Sequence, residues 1–263
     1  MRARNILLPL CVLFALAPAA RAAAPASVFI EELTLTELRD LIATGKTIVI
    51  IPIGGTEQNG PHMAIGKHNV RVKLLAGKIA AALGSALVAP VLSYVPEGRV
   101  DPPTAHMRFP GTITVPEDAF EKVIEYAARS LKQHGFRDII FLGDHGSYQQ
   151  EETAVAQRLD REWAATPARV HAILEYYQES EHGFGKLLES RGYPAGEVGT
   201  HAGLADTSLM MALDPSLVRP DRLKPGEGDN GDPSRASAAL GQLGVDLIVA
   251  KTVEAIKTAV ARR

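Results

Sequence analysis

The stretch Thr47-Ile48-Val49-Ile50-Ile51-Pro52-Ile53-Gly54-Gly55-Thr56-Glu57 decides the fold. Its apolar start, residues 47–51, has the length and the β-branched content of a strand that is buried on both faces of a parallel sheet. Two glycines end this strand, and Glu57, His62 and His68 follow closely. Because ligands in open α/β sheets bind beyond the carboxyl ends of the strands, we expect a site here. The alternative is a polar loop that only covers the sheet.

The rest of the chain alternates between apolar runs typical of strands and stretches with helical periodicity. Further strands are predicted at residues 87–92, 138–142 and 170–174. A repeated strand–helix–strand pattern produces a parallel sheet with helices on both faces. We therefore predict an α/β protein, a three-layer α/β/α sandwich around a mostly parallel central sheet. No internal repeat or linker divides the sequence, so a single domain is expected over residues 23–263.

Two helices near the first strand have specific predictions. An amphipathic helix is expected over residues 33–42, with Thr34 or Thr36 as its cap. A second helix is predicted over residues 70–83. In that prediction His68 lies just before the first turn and Arg71 points outward to solvent.

The N-terminus has the pattern of a secretory signal peptide, residues 1–22. Arg2 and Arg4 form a basic region, residues 6–17 are apolar, and Ala20-Arg21-Ala22 offers a cleavage site. The apolar part is short for a bilayer span, and an uncleaved anchor is the alternative. Cleavage near Ala22 would remove the only cysteine and leave a periplasmic or secreted protein. It would also remove three arginines and change the formal charge from -2 to -5, which indicates neither nucleic-acid nor membrane binding.

Five blocks of sequence resemble, in order, the signatures of the creatininase (creatinine amidohydrolase) family. The first begins Glu57-Gln58-Asn59-Gly60-Pro61-His62, and the third reads Gly143-Asp144-His145-Gly146-Ser147-Tyr148. The complete set is residues 57–68, His106 with 109–113, 143–148, 201–208, and 231–233 with 236–241. Together the blocks span nearly the whole chain after residue 22, so the chain is identified as a divergent member of this family.

This resemblance implies a creatininase-like sandwich that hydrolyses amide C–N bonds with divalent metal ions. It implies a small-molecule amide as substrate and a homo-oligomer, which is a hexamer in known members. Position by position, it assigns metal binding to Glu57 and His145. The residues that it places near the substrate are His106, Ser147, Tyr148 and His201.

Several positions depart from the family's pattern, among them Asp144, where the family has a glycine. Asn59 stands where the family has a metal-binding histidine, and His68 stands where it has an aspartate that bridges two metals. Ser147 replaces a glutamate that is a ligand in creatininase, and Leu204 replaces the family's catalytic glutamate. Because amide and hydroxyl oxygens bind zinc-like ions weakly, we expect one metal ion rather than two.

The donors that remain are Glu57, His68 and His145. Two imidazoles and one carboxylate form the ligand set of a mononuclear catalytic zinc site, and they also resemble a triad suited to iron. We therefore expect zinc, with iron or manganese as alternatives. The residues proposed as general base or as partners of the ligands are Asp144, His62 and Asp206.

These observations support two functional hypotheses. The first is an exported, metal-dependent, amidohydrolase-like enzyme that cleaves a C–N amide bond of a small linear or cyclic amide. Creatinine is disfavoured as its substrate, because Leu204 and Ala205 replace the residues expected after the histidine block. The alternative is a non-catalytic protein of the same fold that binds a small ligand or a partner, and Leu204 favours this alternative.

Overall fold

A parallel four-stranded sheet forms the centre of the computed structural model, which describes residues 27–262. In chain order the strands are β1, Ile48–Ile53; β2, Ala86–Val88; β3, Asp138–Gly143; and β4, Arg169–Ala172. Their order across the sheet is β2-β1-β3-β4. The predicted signal peptide and its cleavage site near Ala22 lie outside the described residues and stay predictions.

Helices connect and cover these strands. They are α1, Leu35–Ala43; α2, Lys67–Leu83; α3, Glu117–Gln133; α4, Gln149–Glu162; α5, Leu174–Gln178; α6, Phe184–Ser190; α7, Ala195–Val198; α8, Leu204–Leu213; and α9, Ala238–Ala261. A π-turn, Glu179–Gly183, joins α5 to α6. Short 3₁₀ turns lie at Ile30–Glu32, Ala105–Arg108, Gly146–Tyr148, Pro215–Leu217, Pro220–Arg222 and Pro233–Arg235.

The side chains of β1 alternate between two separate cores. Ile48 and Ile50 pack into one core with residues of α2, α8 and α9. Val49 and Ile51 pack into the other core with residues of α1, α3 and α4. This alternation is the geometry of a strand with both faces covered. The prediction of a three-layer α/β/α sandwich is therefore confirmed.

The ends of two predicted helices differ from the structure. Helix α2 begins at Lys67, so His68 lies inside its first turn rather than before it. The outward orientation of Arg71 was wrong, because its side chain is buried. His68 and Arg71 are three residues apart and so share one helix face, which is turned toward the carboxyl ends of β1 and β3. For α1, Thr34 is the cap, as one of the two alternatives predicted.

Helices α8 and α9 pack unusually closely because glycine lies at their contact. A Cβ atom added at Gly241 would lie 1.8 Å from the carbonyl oxygen of Ser208.

Helix α9 is amply long, but among residues 27–262 no helix combines the length and apolar character that a bilayer span requires.

Candidate metal centre

The site lies where β1 and β3 end side by side. Ile53 is paired with Gly143 in the sheet, so the loops that follow these two residues start at the same edge. The hydroxyl of Tyr148 links the two ends. It accepts hydrogen bonds from the backbone N–H groups of Asp144 and His145, at 3.1 and 3.0 Å, and donates to the carbonyl of Ile53 at 2.9 Å.

Glu57 is fully buried at the centre of the site, and four imidazoles surround its carboxylate. On Oε1, Nε2 of His68 lies at 2.7 Å and Nδ1 of His201 at 3.7 Å. On Oε2, Nε2 of His106 lies at 3.1 Å and Nε2 of His145 at 3.3 Å. These histidines come from α2, from two loops and from the end of β3, so only the tertiary fold brings them together.

A chain of buried charges supports His68 from behind. Its Nδ1 lies 2.7 Å from Oδ2 of Asp144. Asp144 also accepts hydrogen bonds from Nε of Arg71 at 2.8 Å and from the hydroxyl of Tyr176 at 2.5 Å. Burial would raise the pKa of Asp144, but Arg71 and His68 hold it below its usual value. Asp144 is therefore an ionised carboxylate whose hydrogen bonds fix the orientation of the His68 ring.

The same network continues to Asp206, which lies in α8. Asp206 accepts a hydrogen bond from Nζ of Lys67 at 2.7 Å and one from Nη1 of Arg71 at 2.5 Å. Burial would raise the pKa of Asp206, but these two cations hold it well below its usual value. Lys67 is fully buried, so its charge depends on this carboxylate for compensation.

The electrostatics of the cluster favour a cation. Burial would raise the pKa of Glu57, but His68 and His145 outweigh this effect and hold the pKa of the carboxyl below its usual value. Burial lowers the pKa of His201 to about 4, and burial lowers the pKa of His106 as well. Near pH 7 the ionised carboxylate thus faces two neutral imidazoles, those of His106 and His201, which have lone pairs to give. Burial would lower the pKa of His145, but its hydrogen bond to Glu57 and the charges of Glu57 and Glu97 raise it instead.

Two groups of donors have ligand atoms within 4.8 Å of one another: Glu57 with His68 and His145, and Glu57 with His106 and His201. The first group is the predicted ligand set. Oε2 of Glu57 is buried and has no hydrogen-bond partner among residues 27–262, although two imidazole nitrogens lie close to it. A buried carboxylate oxygen without a partner is costly, and a metal ion between these donors would satisfy it. The residues present therefore fit a divalent ion.

Other predicted site residues lie around this cluster or behind it. Nε2 of His62 lies 2.9 Å from Oγ1 of Thr207, and its Nδ1 lies 3.8 Å from Oδ2 of Asp229, so within residues 27–262 His62 faces away from Glu57. Oγ of Ser147 lies 2.8 Å from Nδ1 of His145, so it contacts a ligand on the side away from Glu57. Tyr148 is fully buried behind the strand ends. The catalytic and substrate-binding roles assigned to these residues stay predictions.

The positions that depart from the family's pattern are also defined. Asn59 is buried and donates to the backbone carbonyls of Glu57 and Ala64, so it stabilises the loop. Leu204 is fully buried in the core at the start of α8. Neither side chain can take part in metal binding or proton transfer in this arrangement.

The sequence did not single out Glu97, Lys67 or Arg71 as members of the site. Glu97 lies in the loop before the Ala105–Arg108 turn, is buried, and has Oε2 at 3.6 Å from Nε2 of His145. Burial raises its pKa to about 8, and the charge of Glu57 adds to this effect. The available signal was an acid next to a glycine, Glu97-Gly98, in the long loop at residues 93–109, which also contains Asp101.

Comparisons with known proteins agree with this geometry. The profile of the creatininase family, described as creatinine amidohydrolase, matches residues 31–256. Creatinine amidohydrolase of Pseudomonas putida is 29% identical over 203 residues, which are 75% of this chain and 76% of the enzyme. The 3-dehydro-scyllo-inosose hydrolase of Thermotoga maritima is 26% identical over 74% of this chain and 58% of its own. A mycofactocin precursor peptide peptidase of Mycolicibacterium smegmatis is 26% identical over 74% of this chain and 78% of its own.

Solved structures show the same fold. The crystal structure of a creatinine amidohydrolase superposes with a TM-score of 0.75 at 25% identity and covers 89% of this chain and 98% of its own. The Mn form of creatininase has a TM-score of 0.72 at 26% identity, over 89% and 98% of the two chains. A variant of Zn–Zn type has a TM-score of 0.72 at 25% identity, over 89% and 99%. The chain therefore belongs to the creatininase family of metal-dependent amidohydrolases.

Proposed function

We propose that this protein is an exported hydrolase that cleaves a C–N amide bond of a small molecule, with one divalent metal ion held by Glu57, His68 and His145. The observation that carries the proposal is the unpaired Oε2 of Glu57, which is buried within 3.3 Å of two imidazole nitrogens. Zinc is the ion that this ligand set favours, with iron or manganese as alternatives.

Each ligand would be held by a different part of the fold. Glu57 extends from the loop after β1, His145 follows β3, and His68 lies in the first turn of α2. With its Nδ1–H donating to Asp144, the His68 ring would offer the lone pair of Nε2 to an ion held next to Glu57. A bound ion of this kind supplies Lewis-acid activation of a carbonyl group and of a water molecule.

The side of Glu57 that faces His106 and His201 is where a substrate would approach. The side-chain amide of Gln58 contacts Nδ1 of His106 at 3.3 Å and Nε2 of His201 at 3.0 Å, so it orients both rings. The His106 side chain keeps 25% of its surface exposed, whereas Glu57 keeps none. Because Leu204 cannot move a proton, we assign proton transfer to these two neutral imidazoles.

The chemical class of the substrate is the C–N amide bond, and its identity stays open. The similar proteins differ in substrate: one acts on creatinine, one on an inosose derivative and one on a peptide. Two of the similar proteins, the creatinine amidohydrolase and the peptidase, cleave amide bonds, which supports an amide. The replacement at Leu204 and Ala205 argues against creatinine.

Three further features belong to the same proposal. The basic and apolar pattern of residues 1–22 supports export to the periplasm or beyond. The family resemblance supports a homo-oligomer, for which a hexamer is the first candidate. Binding of one ion rather than two is supported by Asn59 and Ser147, which stand where the family has metal-binding side chains.

The metal content of the mature protein tests the proposal. The protein is purified without chelators or a metal-binding tag, and metals per chain are measured by elemental mass spectrometry. We expect about one zinc, iron or manganese ion per chain, lost in His68→Ala and retained in His134→Ala, which alters an exposed histidine at the end of α3. Loaded protein should release ammonia or an amine from linear amides and convert lactams into their ring-opened amino acids.

Two other outcomes would change the conclusion. About two ions per chain would show that the single-ion assignment is wrong, and the group of Glu57, His106 and His201 would be the second site to test. No metal, even after zinc, iron and manganese are added back, would favour the alternative of a binding protein that retains only the fold.

A further inference from the structure

We propose that Glu97 is an additional ligand of the metal ion, supplied by the loop at residues 93–109. This inference rests on the proposed function. Glu97 would restore to the site the carboxylate that is lost where Ser147 replaces the family's glutamate.

The first observation is the state of the Glu97 side chain. It is 1% exposed, and neither of its carboxylate oxygens has a hydrogen-bond partner within the described part of the chain. A buried carboxylate normally has several donors, since removing it from water without partners is costly. Oε2 of Glu97 instead lies 3.6 Å from Nε2 of His145, which is a proposed metal ligand.

His145 lies close to the carboxylates of both Glu57 and Glu97. Glu97 belongs to neither group of donors whose ligand atoms all lie within 4.8 Å of one another, so its carboxylate would turn toward Glu57 when an ion binds. Two atoms that each lie about 2.1 Å from the same ion are separated by at most about 4.2 Å. Nε2 of His145 lies 3.3 Å from Oε2 of Glu57 and 3.6 Å from Oε2 of Glu97. The Glu57 and Glu97 carboxylates together would also neutralise the two positive charges of a divalent ion.

The backbone at Glu97 is fixed on both sides. Its N–H donates to Oγ1 of Thr114 at 2.9 Å, and Thr114 in turn donates to the carbonyl of Gly98 at 3.0 Å. The hydroxyl of Ser147 donates to the carbonyl of Pro96. Ser147 stands where the family's ligand glutamate is missing. By binding Pro96 it positions the residue that directly precedes Glu97, whose carboxylate would take the place of that glutamate.

The opposite wall of the site leaves space for this side chain. A Cβ atom added at Gly55 would lie 2.6 Å from Oε1 of Glu97. Since no real Cβ makes so short a contact, any larger residue at position 55 would push the carboxylate out of its present position. Gly55 is thus the second residue on which the location of Glu97 depends.

Metal affinity and the spectrum of the cobalt form test this inference. Zinc affinity is measured by competition with a chromophoric chelator for the mature wild-type protein, Glu97→Gln, Glu97→Asp and Gly55→Ala. Asp101→Asn is the matched control, because Asp101 is an exposed acid in the same loop. Each protein is also loaded with Co²⁺, whose visible absorption reports the donors around the ion.

We expect Glu97→Gln to weaken zinc binding at least about 10-fold and to change the Co²⁺ spectrum. Glu97→Asp should recover part of the affinity, and Gly55→Ala should weaken binding although it replaces none of the ligand residues. Asp101→Asn should match the wild type in affinity and spectrum.

The outcomes separate this inference from the proposed function. If the wild-type protein binds zinc and Co²⁺ but Glu97→Gln leaves affinity and spectrum unchanged, Glu97 is not a ligand and the proposed function stands. If the wild-type protein binds neither ion, both are overturned. Folding is verified by circular dichroism, and a Glu97→Asp protein that folds but recovers none of the affinity lost in Glu97→Gln would also count against ligation.

Discussion

Nδ1 of His68 lies 2.7 Å from Oδ2 of Asp144, and this contact joins two positions at which the chain departs from the family's signatures. The family has an aspartate at the first position and a glycine at the second, whereas this chain has an imidazole and a carboxylate. In this chain the carboxylate therefore lies after β3 rather than in the first turn of α2, and it also accepts a hydrogen bond from Arg71. The contact between His68 and Asp144 accounts for both exchanges.

The first prediction is that these two exchanges are energetically coupled. His68→Asp alone would place an acid between Glu57 and Asp144, and we expect it to destabilise the metal-free protein because buried like charges repel. Adding Asp144→Gly should restore part of the loss, since the new acid would lie three residues from Arg71 on α2. We expect a coupling free energy of about 1–3 kcal/mol, measured by urea unfolding of the four proteins with chelator present. Additive effects of the two changes would contradict the pairing.

The second prediction concerns the buried ion pairs of Asp206. Asp206→Asn would leave Lys67 and Arg71 without the carboxylate that both contact. Loss of one partner from a buried pair costs about 3–5 kcal/mol, so the free energy of unfolding should fall by that order. Asp221→Asn is the control, because the Asp221 side chain is 77% exposed and should change stability by less than about 0.5 kcal/mol. Equal stability of the two variants would mean that Asp206 does not compensate the buried cations.

The third prediction is a pH dependence that arises from Asp229. Burial raises the pKa of Asp229 from its ordinary value of 3.8 to about 6. Between these two pH values the folded state binds more protons than the unfolded state, so this group's contribution to stability falls as the pH rises. The stability of the wild type relative to Asp229→Asn should therefore decrease from pH 4 to pH 6, by at most about 3 kcal/mol.

The comparison with Asp229→Asn is needed because His62 lies nearby, with Nδ1 at 3.8 Å from Oδ2 of Asp229. Burial lowers the pKa of His62, so its titration acts in the opposite direction. Urea unfolding at several pH values supplies the data. A difference between the two proteins that stays constant with pH would show that Asp229 titrates normally.

The fourth prediction concerns the close packing of α8 and α9. Gly241→Ala would place a methyl group 1.8 Å from the carbonyl oxygen of Ser208, so the helices must separate. Overpacking of this kind costs about 1–3 kcal/mol or more. Gly196→Ala is the matched control in α7, where an added Cβ meets no described heavy atom within 4 Å, and it should stabilise by about 0.4–1 kcal/mol. Thermal unfolding distinguishes the two, and a neutral Gly241→Ala would contradict this packing.

Much of the fold could be predicted because its signals are local. The apolar runs at β1 and β3 each contain their own information, and both strands were located correctly. Glu57, His68 and His145 were grouped through sequence motifs, and the structure brings their ligand atoms together.

The rest depends on contacts that sequence periodicity does not contain. Arg71 was wrongly placed in solvent because a cation on an amphipathic helix is normally exposed, and its two buried acids are 73 and 135 residues away. Glu97 was missed because a loop has no period that could indicate which side chains point inward. Both residues matter for the charge around the site, which neither composition nor spacing reveals.

The link that Tyr148 makes between the ends of β1 and β3 has a consequence for metal exchange. The conformational entropy of bringing Glu57 and His145 together is lost when the chain folds, not when an ion binds. The donors therefore keep their arrangement through release and recapture of an ion. Which metal binds in the cell would then depend on the affinities of these donors for different ions and on the concentrations of those ions in the compartment. It would not depend on whether the chain folds before or after it meets the ion.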